Sequence, residues 1–229
     1  MFVIGHRGAA AIEPENTLRA LRAGMRCAHF VEVDVRTTRD GVPVIMHDAT
    51  IDRTTSGQGK VAEFTLAELK QFDAGKESIP TLEEVLRLVE GKCGLAVELK
   101  EERDPAPILE LITHSSVEPL LVVSFHAPML KEVKRTLRQA RTGLIFSHLN
   151  PDPLETAMVI HADLLLPRFS LLSPTLVEDA HFRNLLVVTW TLNSAEEIQK
   201  AVEARVDGFA TDDPCRAKKV LHNLAAAWY

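Results

Sequence analysis

Two histidines, three carboxylates, an arginine and a lysine stand at the ends of apolar runs in this chain. His6-Arg7-Gly8 follows FVIG, Glu32 and Asp34 lie two apart in FVEVDVR, Glu98 and Lys100 repeat that spacing in LAVELK, and His47-Asp48 follows VPVIM. Residues two apart on a strand point to the same side, so each such pair presents two functional groups to one face. Glu32, Asp34 and Glu98, with no cysteine among them, make a hard, anionic oxygen set suited to Mg²⁺ or Ca²⁺, with Mn²⁺ a third candidate. Without a cation such a cluster repels itself. The same spacing also fits polar strand ends paired in salt bridges, and spacing alone does not choose between the two.

His6 and His47 add proton transfer, because imidazoles serve as general acid and base near neutral pH. If VPVIM returns from a turn at Asp40-Gly41 to lie against FVEVDVR, His47 comes near Glu32 and Asp34. Arg7 offers a planar fork to a phosphate and Lys100 a point charge. Carboxylates, a cation, two histidines, Arg7 and Lys100 together describe a site for phosphoryl chemistry on an anionic substrate.

The elements that must position these groups alternate along the chain. Short runs rich in β-branched residues predict strands at 2–5, 30–36, 95–100, 120–125, 142–147, 162–167, 185–190 and 207–211, with amphipathic stretches between them. Capping boxes at Thr65/Glu68, Thr81/Glu84 and Ser194/Glu197, and Asp152-Pro153 and Ser173-Pro174 as N-cap with proline, predict helix starts. Leu82, Val85, Leu86 and Val89 give one helix a buried stripe. Eight such units predict a (β/α)8 TIM barrel as a single domain over 1–229, with an open doubly wound sheet as the alternative. The regular alternation breaks between residues 37 and 94. There an extra strand, a TTSGQG loop and two helices are expected to form a short lip between the second and third strands.

With 229 residues, 46% hydrophobic, 25% charged and a formal net charge of -6, the chain is an ordinary globular composition and not that of a nucleic-acid binder. MFVIG leads straight into a motif with no signal-peptide pattern, and no apolar run approaches a membrane span, so a cytoplasmic protein without stable membrane association is expected. Cys27, Cys93 and Cys215 are odd in number and far apart, and the expectation is of buried, inert thiols with no disulfide.

HRG (6–8), PENT (14–17), EVDVRTTRDGVPVIMHD (32–48), DRTTSGQG (52–59), IPTLEEVL (79–86), VELK (97–100), WTLN (190–193) and DGFATDDP (207–214) together resemble the glycerophosphodiester phosphodiesterase family. The resemblance runs from residue 5 to about residue 216. It implies a (β/α)8 barrel that hydrolyses glycerophosphodiesters to sn-glycerol 3-phosphate and an alcohol with Mg²⁺ or Ca²⁺. It further implies His6 and His47 as the acid/base pair, Glu32, Asp34 and Glu98 as metal ligands, and Arg7 and Lys100 as phosphate contacts. Glu15 would support Arg7 and the metal region, and Trp190 would pack on the glycerol or the leaving group. Whether the glycerol 2-hydroxyl attacks first, giving a cyclic phosphate, stays open. Two departures stand out: only KES (76–78) separates LKQFDAG from IPTLEE, which shortens the lip, and Ala96 stands where many relatives carry Asn.

Phe125-His126 and Asn193 also lie at strand ends, but each alone reads as a loop hydrogen-bonder. Lys131, Lys134, Arg135, Arg138 and Arg141 recur at helical spacing as a solvated basic stripe. A barrel that binds phosphodiesters without turning them over would lack a histidine or a metal carboxylate. A phospholipid lyase would bring secretion and disulfides, and a glycosidase would not need His6, Arg7 and Lys100 beside its acids.

Overall fold

A computed structural model describes residues 1–102 and 104–226. Eight parallel strands close into a barrel: β1 (Phe2–Gly5), β2 (Phe30–Thr37), β4 (Gly94–Leu99), β5 (Leu120–Ser124), β6 (Arg141–Phe146), β7 (Leu164–Pro167), β8 (Leu186–Thr189) and β9 (Gly208–Thr211). Closure is made by β1, which pairs with β2 on one side and β9 on the other. The open-sheet alternative is thereby excluded, and each of the eight expected strands is present with ends shifted by a residue or two. A ninth strand, β3 (Pro43–Ile45), runs antiparallel to β2 with Val35 opposite Ile45. This is the hairpin expected from Asp40-Gly41.

Strand alternation sorts the barrel's two faces. Val31, Val33 and Val35 of β2 and Leu95, Val97 and Leu99 of β4 point outward into a core with Leu82, Val85, Leu86 and Val89 of α3 (Leu82–Val89). Their neighbours point inward. Ile4, Ala96, Val123, Ile145, Leu166, Val188 and Ala210 fill the barrel's interior, and Glu32, Asp34 and Glu98 share that inward parity. In register Glu32 lies beside Ala96, and Asp34 beside Glu98.

The expected helix starts hold for a local reason. Thr65, Thr81 and Ser194 each accept from the amide three residues on, while Glu68, Glu84 and Glu197 reach back to the cap residue's own amide. Such caps are worth about 1 kcal/mol apiece. Between β3 and α3 the lip carries its own small core of Val44, Met46, Ile51, Val61, Leu69 and Ile79, with Phe64 edge-on to Phe72. The short Lys76–Ser78 stretch closes a turn in which Ala74 donates to the Glu77 carbonyl, and Gly75 packs on Pro14. The turn thus docks on the loop after β1.

One expectation is overturned. Cys27 and Cys215 form a disulfide, with Cα atoms 5.0 Å apart, across 188 residues of sequence. The bond joins the chain just after α1 (Leu18–Gly24) to the start of α9 (Pro214–Ala226), two segments that barrel closure brings side by side. Cys93 alone is a free thiol among the described residues, and it is half-buried.

Candidate active site

The site is built at the carboxyl ends of the strands. His6-Arg7-Gly8 turns sharply out of β1, and Gly8 is required there: its φ is +88°, and a Cβ would lie 2.4 Å from the carbonyl carbon of Ala20. Arg7 itself has φ 49°, the left-handed region that non-glycine residues seldom occupy. In that conformation its amide donates to Glu32 Oε2 at 2.8 Å. Unusual backbone and bond to a buried carboxylate occur together, as is common at functional positions.

Ligand atoms of Glu32, Asp34 and Glu98 all lie within 4.8 Å of one another. Burial, with Asp34 and Glu98 alongside, pushes the Glu32 carboxyl up to about 8. Burial likewise raises Glu98, Asp34 adding to it in spite of the Lys100 ammonium. Burial works on Asp34 too, but Lys100 and Arg7 outweigh it and hold this carboxyl below the ordinary range. Lys100 Nζ lies 2.6 Å from Glu98 and 3.3 Å from Asp34, and Arg7 Nε lies 3.2 Å from Asp34. The salt-bridge reading of these strand ends is therefore correct as far as it goes. It leaves Glu32 unexplained, because Glu32 Oε1 is buried with no hydrogen-bond partner. A buried carboxylate oxygen without a donor, beside two further carboxylates, fits a hard divalent cation.

The histidines flank this cluster from different elements. His6 Nδ1 is 2.7 Å from Asp212 Oδ1, just past β9, so Nε2 is the ring nitrogen left for proton transfer. Burial disfavours a charge on His6, but the Asp212 bond and Glu32 outweigh it and raise its proton affinity. His47, in the turn after β3, is pushed the other way by burial, although Asp34 and Asp48 oppose the shift. Its Nδ1 is 2.6 Å from Asp48 Oδ1, and Arg36 fixes its carbonyl with bonds of 2.9 and 2.7 Å.

His6, Arg7, Glu32, His47, Glu98 and Lys100 line one cavity of about 140 Å³. Its far wall is apolar and is capped by Trp190 and Phe125, whose rings meet edge-on at 5.7 Å. Trp190 is held by its indole N–H, which donates to the Leu166 carbonyl at 2.8 Å. Lys100 Nζ sits 5.9 Å from the Phe125 ring centre. Glu15 lies one residue outside, accepting from Arg7 Nη1 at 2.8 Å.

His6, Arg7, Glu15, Glu32, Asp34, His47, Glu98, Lys100 and Trp190 thus fall in or against one site. Missed were the residues that hold those groups: Asn16, whose side-chain amide donates to Asp34 Oδ2 at 2.8 Å, Asp48, Arg53 and Asp212. Asn193, read as a loop hydrogen-bonder, is one, but its partner is Asp212, to which it donates at 2.6 Å. All lie inside the quoted motifs, which was the signal available for them.

Residues 6–216 match the model of the glycerophosphoryl diester phosphodiesterase family. The chain belongs to this family. Among similar proteins is a glycerophosphodiester phosphodiesterase of Caldanaerobacter subterraneus subsp. tengcongensis, 35% identical over 93% of this chain and 94% of the relative. Another, from Bacillus altitudinis, is 30% identical over 97% of this chain and 98% of its own length. Of solved structures, an Oleispira antarctica phosphodiesterase in complex with the product sn-glycerol-3-phosphate superposes with a TM-score of 0.92 at 30% identity, covering 97% of both chains. The glycerophosphodiester phosphodiesterase of Thermotoga maritima gives 0.82 at 27%, covering 98% of both. Glycerophosphodiester phosphodiesterases are phosphoric diester hydrolases.

Proposed function

We propose that this chain hydrolyses glycerophosphodiesters to sn-glycerol 3-phosphate and an alcohol, with one divalent cation, Mg²⁺, Ca²⁺ or Mn²⁺, in the turnover of glycerophospholipids and glycerol. The observation that carries the reading is the meeting, in one cavity, of a buried three-carboxylate cluster with two histidines whose proton affinities are shifted in opposite directions. The sn-glycerol-3-phosphate held by the Oleispira antarctica structure supports the product assignment.

In this reading Glu32, Asp34 and Glu98 would hold the cation, which would supply positive charge beside the phosphoryl group. His47, of lowered proton affinity, is neutral near pH 7 and takes the proton of the attacking oxygen, that of water directly or that of the glycerol 2-hydroxyl with water then opening the cyclic phosphate. His6, of raised affinity and held by Asp212, carries the proton that the leaving alcohol oxygen accepts. Arg7 and Lys100 offset the negative charge of the phosphoryl group. Trp190, with Phe125, gives the glycerol or the leaving alcohol an apolar wall.

The turn at Lys76–Ser78 contributes no residue to the cavity lining, so selectivity for the alcohol falls to the rim at Phe125 and Trp190. Among the described residues no helix is long and apolar enough to cross a membrane. The cytoplasmic location expected from sequence stands against the Cys27–Cys215 disulfide, since such bonds persist mainly in oxidising compartments.

The test is release of glycerol 3-phosphate from glycerophosphocholine, glycerophosphoethanolamine and glycerophosphoglycerol, before and after chelation and with each cation restored. Activity that survives thorough chelation overturns the metal assignment. Absence of glycerol 3-phosphate from every substrate overturns the reaction.

A further inference from the structure

DRTTSGQG is a motif of the sequence to which the proposed chemistry gives no role. Its arginine, Arg53, is half exposed and does not line the cavity. It nevertheless makes four hydrogen bonds. Nε and Nη2 donate to the two oxygens of Asp48 at 2.6 and 3.2 Å, while Nη1 and Nη2 donate to the two oxygens of Glu15 at 2.8 Å each. One guanidinium therefore engages two carboxylates, each through both oxygens. Only the planar fork of arginine does this; an ammonium is a point charge.

Those carboxylates have second partners. Asp48 Oδ1 holds His47 Nδ1 at 2.6 Å, and Glu15 Oε1 holds Arg7 Nη1 at 2.8 Å. The result is a chain of alternating charge, His47, Asp48, Arg53, Glu15, Arg7, that leaves the cavity on the β3 side and re-enters it on the β1 side. Its two ends come from separate elements, the turn after β3 and the strained turn after β1, which also meet through Asp34, whose carbonyl accepts from the Met46 amide at 2.9 Å and whose carboxylate lies 3.2 Å from Arg7 Nε. Arg53 itself rides on a loop anchored by Ile51, which is fully buried and whose amide donates to the Gly59 carbonyl at 2.9 Å.

We infer that Arg53 is a positioning residue that sets His47 and Arg7 relative to each other, acting through Asp48 and Glu15 without touching substrate. The inference rests on the proposed function for its kinetic consequence but not for its structural one. Loss of the guanidinium leaves Asp48 and Glu15 facing each other with their mutual repulsion uncompensated. His47 then loses its fixed orientation, and Arg7 its fixed reach, while the cation ligands and the cavity stay in place.

The experiment compares wild type, Arg53→Met and Arg53→Lys, with glycerophosphocholine as substrate and thermal melting as a check on folding. Groups that orient a functional side chain typically contribute about 10- to 100-fold. The expected result for Arg53→Met is a kcat about 10-fold lower, the low end of that range because Arg53 acts through an intermediary, with KM changed less than about twofold. Millimolar guanidinium ion should restore part of that rate, and Asp48→Asn should lower kcat no further when added to Arg53→Met. Arg53→Lys should recover little, because an ammonium cannot engage both carboxylates through a fork.

A raised KM with unchanged kcat would make Arg53 a substrate contact and overturn the inference, as would a wild-type rate in a folded Arg53→Met or Arg53→Lys. A readout free of turnover is the low-field proton resonance of the His47 Nδ1 hydrogen bond, assigned by its absence in His47→Ala. Loss of that resonance in the Arg53 variants supports the inference, and its persistence unchanged overturns it. If wild type released no glycerol 3-phosphate, the catalytic reading would fall while this signal still decided what Arg53 holds.

Discussion

Glu32 couples cation binding to protons, and the coupling is measurable. Its carboxyl is pushed up to about 8 by burial and by its neighbours Asp34 and Glu98, so the metal-free protein holds a proton there throughout the neutral range. A cation takes the carboxylate, and binding must expel that proton. Well below the titration point each pH unit then weakens the cation about tenfold, or ~1.4 kcal/mol, so affinity should fall roughly 50-fold between about pH 8, where half the carboxyl is already ionised, and pH 6. Glu98, also raised, can only steepen the slope. Calorimetric titration with Mg²⁺ or Ca²⁺ at both pH values, repeated in buffers of different ionisation heat, gives the affinity and the protons released together. A pH-independent affinity with no proton release would refute the reasoning. The sign carries over to stability. A carboxyl whose folded-state affinity exceeds its unfolded value of 4.5 destabilises the metal-free fold progressively as pH rises from there to about 8. The metal-free melting temperature should therefore drop across that window, and cation should reverse the drop.

Three further outcomes are expected. His6→Ala and His47→Ala should each lose at least about 100-fold in kcat with the fold intact, and a near-wild-type rate in either removes that residue from the mechanism. In a kcat/KM profile against pH, activity should rise through the His47 titration, below 6.5, and fall through that of His6, above it. Asp212→Asn, lacking the carboxylate that raises His6, should move the alkaline fall to lower pH, and an unmoved limb would assign it elsewhere. The Cys27–Cys215 bond closes a span of 188 residues, for which chain entropy gives up to about 5 kcal/mol. Reductant, or Cys27→Ser, should lower the melting temperature by up to roughly 10–20 °C at about 2–4 °C per kcal/mol for a chain this size, and an unchanged melt would show that the bond constrains little.

The barrel was legible because its signals are local. Runs such as LLVV state their strand by β-branching, and Thr81 with Glu84 states a helix start within four residues. Glu32, Asp34 and Glu98 were legible as a cluster for the same reason, since period-two spacing needs only a strand to act on. The supporting residues were not. Arg53 and Asp212 look like solvated charges until the lip folds back and β9 reaches β1, since Arg53 finds Glu15 and Asp212 finds His6 on another loop, and Asp48, beside His47 in sequence, gains its role only once Arg53 is held there. The cysteine pair is the extreme case: nothing near Cys27 in sequence announces Cys215, and an odd count with wide spacing argued for free thiols. Ala96 is buried beside Glu32 in the register, but nothing in the structure explains its replacing Asn.

The bond between Cys27 and Cys215 also redraws the molecule's connectivity. It turns the chain into a covalent ring that contains β2 through β9, from which residues 1–26 emerge as an arm carrying β1, His6 and Arg7. A protease cut at the exposed Arg39, in the lip, would open the ring without releasing a fragment. Seven of the eight barrel strands, and β3 with them, are thus retained by covalent closure. The strand that brings His6 and Arg7 to the carboxylates lies outside the ring, joined to it by the chain before Cys27 and seated by its pairing with β2 and β9, by the packing of Val3 and Ile4 and by the bonds of His6 and Arg7. The proposed catalytic centre therefore lies on the seam between the ring and its arm.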